Sequence, residues 1–300
     1  MHEEQLDVTI LLPCYNEGEA LSSVINDIRA AMEDSNYTYE ILVVDDNSKD
    51  RSAEIAAELG CRVIRHSINK GSGGSRKTGI LAAKGKIIAM LDADGTYTAS
   101  DIPKMLALFP QYDQVNGART SEEGTLPFLR YPAKWIIRMI ASILAGRLIP
   151  DLNTGLKAFK RDIMLQYLWS IPNGFSCVSS MTLAFMCNGY SVAYIPTAYH
   201  RRIGASKFHP VGDTYRYVLT VFRLITYFNP LKIFFPAAVF LIIFGVAKSL
   251  YDFFFVIRRL QLSDIIILIS GVVIGFQGLL ADLIVALSKR QAIFKMDDPD

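Results

Sequence analysis

Four polar constellations carry residue types able to do chemistry. Pro13-Cys14-Tyr15-Asn16-Glu17, Asp45-Asp46-Asn47-Ser48 and Asp92-Ala93-Asp94 each follow a short apolar run. Asn69-Lys70-Gly71 with Gly73-Gly74 opens a helical stretch. Two carboxylates one residue apart at a strand end can hold a divalent cation through hard oxygen ligands. That cation would neutralise a diphosphate and stabilise it as a leaving group. An acidic turn after a strand serves equally well as a helix cap, so each constellation alone is weak. Four of them in sheet order are harder to explain as caps. The glycine-rich loop resembles a phosphate cradle but lacks the full GxxxxGK(S/T) pattern, which leaves Lys70 and Arg76 open as donor contacts. His66, His200 and His209 match no metal-ligand spacing and read as surface or core residues.

Secondary-structure elements must position these groups. Residues 8–13, 40–45, 62–66 and 86–91 read as β-rich runs. Residues 17–32, a segment that Ser48 or Asp50 could cap, and residues 74–83 read as helices. Near-continuous apolar strands separated by helices imply an α/β fold with a mostly parallel sheet covered on both faces. In such sheets ligands bind beyond the carboxyl ends of the strands.

The 300 residues suffice for one α/β domain plus an appendage. Hydrophobic residues make up 51% of the chain, with the excess after Asn229. A net charge of +2 supplies no global field for nucleic acid, so anionic partners must be met by local clusters. Cys14, Cys61, Cys177 and Cys187 form no CxxC pair and read as reduced thiols of a cytosolic domain. Residues 1–7 are polar and show no signal peptide, which places the catalytic part in the cytosol.

Residues 128–148 carry Arg130, Lys134, Arg138 and Arg147 between apolar positions. They read either as a helix lying at a membrane surface or as a core helix with snorkelling cations. Residues 213–228 repeat the pattern with Arg216 and Arg223. Residues 235–257 and 265–287 would each span ~34 Å as helices, enough to cross ~30 Å of hydrocarbon. Lys248 and Asp252 stand four apart in the first, where they can pair. Gly271 and Gly275 of the second make a GxxxG face suited to close helix packing or self-association. Two spans return the tail to the cytosol, and Arg216, Arg223, Lys232, Lys289, Arg290 and Lys295 fit cytosolic ends, against Arg258 and Arg259 in the outer loop.

PxYNE, VDDxS and DADG in this order resemble the GT-A-type family-two glycosyltransferases. Asp151-Leu152-Asn153-Thr154-Gly155-Leu156-Lys157, Arg202-Ile203-Gly204-Ala205-Ser206-Lys207 and the two-span tail look like the polyprenyl-phosphate glycosyltransferases. That group contains dolichol-phosphate mannose synthases and bactoprenol glucosyltransferases. The resemblance runs from Asp7 to Arg290. It implies a Rossmann-like GT-A domain over 1–210, an amphipathic juxtamembrane helix over 211–232, two membrane helices within 233–290 and a cytosolic tail over 291–300. It assigns Pro13, Tyr15, Glu17, Val44 and Asp46 to the donor nucleotide. Asp92, Ala93 and Asp94 go to the nucleotide-sugar, with Asp94 and Asp92 holding Mg2+ or Mn2+. Arg119, Arg130 and Lys207, with Lys134 and Arg202 nearby, receive the lipid phosphate. Two departures stand out: Thr96 occupies a position where many relatives have Gln, and Ser176-Cys177-Val178-Ser179-Ser180 replaces a segment that often carries Glu. The resemblance therefore transfers no named sugar.

The expected reaction moves a hexose from a UDP- or GDP-sugar to undecaprenyl or dolichyl phosphate at the cytoplasmic membrane face. An ionised phosphate needs no strong general base, so in-line attack with inversion is expected, and Asp92, Asp94, Arg119 and Lys207 are the expected catalytic residues. Fixed cations would offset repulsion between two anionic substrates. A glycolipid or polysaccharide acceptor, or a catalytically silent membrane scaffold, are the alternatives.

Overall fold

The computed structural model describes residues 6–120, 138–139, 141–142, 146–174, 176–200, 219, 222–223, 226–256 and 259–297, the side chains of 288–297 excepted. The chain divides into two compact units, Met1–Val221 and Phe222–Asp300.

The first unit is built on β1 (Val8–Cys14), β2 (Tyr39–Asp45), β3 (Arg62–Arg65), β4 (Ile87–Met90), β5 (Gln114–Arg119), β6 (Lys157–Lys160) and β7 (Val192–Thr197). They form one sheet in the order β3-β2-β1-β4-β6-β5-β7. Pairings β3/β2, β2/β1, β1/β4 and β5/β7 are parallel, while β6 runs antiparallel to both neighbours. The parallel half matches the four runs seen in the sequence to within a residue at each end. The antiparallel insertion does not follow from them, because β6 was not among those runs and is specified by its partners.

Helices α1 (Gly18–Met32), α2 (Ser52–Glu58), α3 (Ser72–Ala82), α4 (Asp101–Leu106), α5 (Arg161–Gln166) and α6 (Cys177–Cys187) cover this sheet, with a short 3-10 turn at Leu168–Ser170. Side chains of β1 divide by parity, as a strand's must. Val8, Ile10, Leu12 and Cys14 join one buried cluster with Leu21, Ile25 and Ile28 of α1 and Ile102 of α4. Leu11 joins a second with Leu42 and Val44 of β2, Ile80 of α3 and Met181 and Phe185 of α6. A strand buried on both faces reads as the apolar run seen in the sequence.

The turns after β1 and β2 are stitched together. Asn16 and Asn47 take left-handed backbone, with φ of 53° and 65°, a conformation Asn tolerates. The Asn16 amide donates to Ser48 Oγ at 2.9 Å and the Lys49 amide to Asn16 Oδ1 at 2.7 Å. Asp50 accepts the Ser52 amide at 3.1 Å and the Gly18 amide at 3.0 Å. Ser48 therefore ties the two turns together instead of capping α2, and Asp50 bridges the starts of α1 and α2.

The second unit contains α7 (Leu231–Tyr251), which ends in a π-helical turn (Asp252–Val256), and α8 (Leu262–Asp297). Leu231–Val256 and Leu262–Leu287 have mean hydropathies of 2.2 and 2.1 and are candidate membrane spans. At ~1.5 Å per residue each is longer than a ~30 Å hydrocarbon layer. Gly271 admits Ile242 and the Ala238 carbonyl, and Gly275 faces the Ala238 methyl, so the GxxxG face is used within the hairpin. Lys248 pairs with Asp252 at 2.7 Å as the spacing implied, and also with Asp264 at 2.5 Å and Ser263 at 3.0 Å. Most of 128–148 and 213–228, including Arg216, lies outside the described residues.

Candidate active site

A cleft of about 440 Å³ opens where β1, β2, β4 and β5 end. Pro13, Tyr15, Glu17, Asp46, Asp92, Ala93, Asp94 and Arg119 all line it. The donor-side residues read from the sequence thus share one cavity, with one exception. Val44 is fully buried in the core among Leu11, Leu42 and Ile80, and its side chain does not line the cleft. Arg130, Lys134, Arg202 and Lys207 lie outside the described residues, so Arg119 alone represents the expected acceptor-binding set. His209 also lies outside them, and His200 contacts Thr98 at 3.0 Å through Nε2.

Asp92 follows β4, and its Oδ1 accepts Nη2 of Arg76 at 2.5 Å. Arg76 stands on α3 and is 4% exposed. Burial works against its charge, but Cys177 and Asp92 more than offset that and raise its pKa above the usual value. Nη1 of Arg76 also reaches the Ser72 carbonyl at 3.1 Å and Cys177 Sγ at 3.6 Å. Asp94 is buried, and its Oδ1 accepts both the hydroxyl and the amide of Thr96, at 2.6 and 3.2 Å. The Thr that departs from the family pattern therefore orients the second carboxylate of the pair.

Arg119 is clamped where β5 ends. Its Nε and Nη2 donate to Asp151 at 2.6 and 3.0 Å, a two-pronged contact that only a guanidinium makes. Its Cζ lies 5.2 Å from the centroid of the Tyr199 ring, within cation–π reach. Tyr199 packs edge-on against Tyr97, with centroids 5.3 Å apart. Burial raises the Asp151 pKa, but the Arg119 hydrogen bonds and charge outweigh it, and the carboxyl sits below its usual value. Burial, then the charge of Asp92, pushes the Tyr97 phenol upward. Its oxygen accepts the Gly155 amide at 2.7 Å. Burial pushes the Cys14 thiol up to about 12, with Asp45, Glu17 and Asp50 adding to it against a Ser52 hydrogen bond. Cys14 is therefore a neutral wall of the cleft.

Tyr97 and Tyr199 line the cleft without any signal in the sequence, while Asn153, Gly155 and Val178 line it from segments that the sequence singled out without giving these residues a role. Asn69, Gly71, Ser72, Ser75 and Arg76, around the amino end of α3, complete the lining with Gly174 and Cys14. The glycine-rich loop thus does reach the cleft, which leaves Arg76 inside it. Lys70 contributes its amide to Asp46. Among the described residues, the charged lining residues are Glu17, Asp46, Asp92 and Asp94 against Arg76 and Arg119, an excess of acid. Among the described residues no three or more His, Cys, Asp or Glu side chains converge into a metal shell. Asp92 and Asp94 offer hard oxygen ligands, the donor chemistry that suits Mg2+ or Mn2+, with other oxygens needed to complete the shell.

The sequence pattern of glycosyl transferase family 2 matches residues 9–168, and that of the GtrB C-terminal hairpin matches residues 229–287. A dolichyl-phosphate hexose transferase of Haloferax volcanii is 31% identical over 206 residues, covering 68% of this chain and 87% of the relative. Glycosyltransferase AglJ of the same organism is 29% identical over 296 residues, 95% of each chain. Glucosyl-3-phosphoglycerate synthase of Mycobacterium tuberculosis, solved with Mn2+, UDP-glucose and phosphoglyceric acid, superposes with a TM-score of 0.60. It is 16% identical and covers 73% of this chain and 80% of that one. The chain belongs to glycosyl transferase family 2 and has the GT-A fold.

Proposed function

We propose that this family 2 glycosyltransferase moves a hexose from a UDP- or GDP-sugar to a polyprenyl phosphate at the cytoplasmic membrane face, with inversion at the anomeric carbon. The observation that carries the reading is the convergence of an acidic pair, Asp92 and Asp94, and a clamped cation, Arg119, in one cleft beyond the sheet's carboxyl ends. The name of the hexose-transferring relative and the two apolar helices support a lipid phosphate as acceptor.

Pro13, Tyr15, Glu17 and Asp46 form the side of the cleft assigned to the nucleotide. Asp92 and Asp94 would hold Mg2+ or Mn2+, which would supply positive charge against the donor diphosphate. The carboxylates of Glu17, Asp46, Asp92 and Asp94 repel an anionic donor without such a countercharge beside them. Arg76 holds Asp92, and Thr96 holds Asp94, so neither carboxylate must be ordered when substrate arrives. Arg119, fixed by Asp151 and Tyr199, presents positive charge to the acceptor phosphate. Arg130, Lys134, Arg202 and Lys207 are assigned to the same task from the sequence pattern. The acceptor oxygen is already ionised at neutral pH, so no residue need remove a proton. A bond from that oxygen to the anomeric carbon forms as the bond to the diphosphate breaks, and the bonding pair leaves with the nucleoside diphosphate.

The domain division follows the same reading: 1–210 catalytic, 211–232 at the membrane surface, 233–290 in the bilayer and 291–300 returned to the cytosol. The test uses purified full-length protein, a short polyprenyl phosphate, Mg2+ or Mn2+ and a panel of radiolabelled UDP- and GDP-hexoses. Transfer from one donor class is expected, and Asp94→Ala is expected to reduce it by ~10²- to 10³-fold, the loss typical of removing a group that stabilises developing charge. Undiminished transfer by Asp94→Ala with either metal would refute the mechanism.

A further inference from the structure

His66 directly follows β3 and is 5% exposed. Its Nδ1 stands 2.7 Å from Asp46 Oδ1 and its Nε2 2.9 Å from Thr78 Oγ1 on α3. Asp46 also accepts the Lys70 amide on Oδ1 and the Gly71 amide on Oδ2, each at 2.8 Å. Its backbone carbonyl takes Nδ2 of Asn69 at 3.2 Å. With the Nδ1 proton in place, one buried carboxylate gathers three N–H donors, two of them from the loop that precedes α3.

The far side of this loop is fixed by backbone. The Gly73 amide donates to the Asn173 carbonyl at 2.9 Å. A side chain on Gly71 would stand 2.6 Å from that same carbonyl oxygen, and Gly71 has φ of 80°. The loop is therefore held between Asn173 on one side and Asp46 on the other. Asp46, Asn69, Gly71, Ser72, Ser75 and Arg76, which this clasp holds, all face the cleft.

We propose that His66 is a positioning residue for donor binding, acting through Asp46 to set the 69–71 loop and the amino end of α3 against the nucleotide-sugar. The proposal rests on the transferase reading above and extends it to a residue that lines no part of the cleft. Without the imidazole, Oδ1 of Asp46 keeps only the Lys70 amide and Thr78 loses its acceptor. A buried carboxylate short of donors is costly, so Asp46 turns away and the loop loosens. Arg119 and Asp151, which the clasp does not touch, keep their geometry. The defect therefore falls on the donor and spares the acceptor.

The experiment compares His66→Leu with His66→Asn in the full-length enzyme. An Asn amide stands near the Nδ1 position and can donate to Asp46, but it does not reach Thr78. His66→Leu is expected to raise the donor KM by ~10- to 100-fold, the range for one hydrogen bond to a charged group. Its acceptor KM should stay within about twofold, and His66→Asn should recover most of the loss. Equilibrium binding of UDP and of GDP in the presence of Mn2+ should weaken by the same factor as the donor KM rises. Should His66→Leu fail to fold, Thr78→Val removes the imidazole's outer partner at equal volume, and a donor-only KM rise of ~3- to 10-fold is expected. An unchanged donor KM overturns the proposal, as does an equal loss on donor and acceptor with Asn no better than Leu. If wild-type protein transfers hexose while His66→Leu matches it, only this inference fails. If wild-type protein binds neither nucleotide, the transferase reading fails and takes this inference with it.

Discussion

Gly155→Ala probes how tightly the acidic pair is held. A methyl on Gly155 would overlap the Asp92 carboxylate, touching Oδ2 and standing 2.8 Å from Cγ and 3.1 Å from Oδ1. Ordinary contact begins at 3.4 Å, so the carboxylate must retreat by roughly half an ångström or more. The backbone itself accepts alanine, because Gly155 is not among the glycines with positive φ. Asp92 cannot simply swing aside, since its Oδ1 is bound to Arg76 at 2.5 Å. Either that pair breaks or the Gly155 loop is pushed outward, away from the Tyr97 hydroxyl that accepts its amide at 2.7 Å. Misplacing a group at the reacting centre by about 1 Å costs up to ~10²-fold in rate, equivalent to ~2.7 kcal/mol of barrier. Radiolabelled hexose transfer by the full-length enzyme should therefore fall ~30- to 100-fold in kcat/KM. Overpacking should cost the fold only ~1–3 kcal/mol. Gly174→Ala is the internal control: it lines the same cleft, and a methyl there meets nothing within 4 Å among the described residues. If Gly155→Ala keeps activity within twofold of wild type, or if Gly174→Ala loses as much, the placement of Asp92 is not what limits catalysis.

Lys157 makes the stability of the first unit depend on pH. It is fully buried on β6 and donates to Thr182 Oγ1 at 2.7 Å and Asn116 Oδ1 at 3.2 Å. Burial lowers its pKa from 10.5 to about 7, with Asp151 partly offsetting the effect. Between these values the unfolded chain holds a proton that the folded one has lost, so this group's penalty is complete below pH 7 and relieved as pH rises. Relative to Lys157→Met, wild type should gain stability from pH 7 to 9 with a slope approaching ~1.4 kcal/mol per pH unit. Parallel slopes in urea unfolding would reject this. In the hairpin, Gly271→Leu drives a side chain into Ile242, where even a Cβ meets Cγ1 at 2.8 Å, whereas Gly275→Ala meets Ala238 at an ordinary 3.5 Å. Thermal unfolding in detergent should show a loss of ~1–3 kcal/mol for the first and little for the second; equal effects would mean that these glycines do not set the packing.

Local features of the sequence carried much of this protein. Alternation of apolar runs and helices identified the parallel half of the sheet, because a strand buried on both faces has no polar positions to interrupt it. The ends of β1, β2 and β4 were legible for the same reason: polar residues after an apolar run must lie where the sheet stops, and there Tyr15, Asp46, Asp92 and Asp94 share a cleft. The C-terminal apolar helices followed from length alone. The Lys248–Asp252 contact followed from helical periodicity, which brings residues four apart together.

Folding decided which distant groups meet. Arg76 reaches Asp92 across sixteen residues, Arg119 reaches Asp151 across thirty-two, and His66 joins Asp46 across twenty. No periodicity encodes these pairs. His66 looked like an ordinary core or surface histidine until the β2 and β3 ends stood side by side. Val44 shows the converse: it stands two residues before Asp46 but still inside β2, where its side chain packs in the core, whereas Asp46 lies past the strand's end. Gly155 stood in a quoted motif, but its role was not legible there, because it leaves room for a carboxylate sixty-three residues earlier. Chain order supplies the chemical groups and the elements that carry them. Their partners are set by the order β3-β2-β1-β4-β6-β5-β7, because side chains interact over a few ångströms of space whatever their separation along the chain.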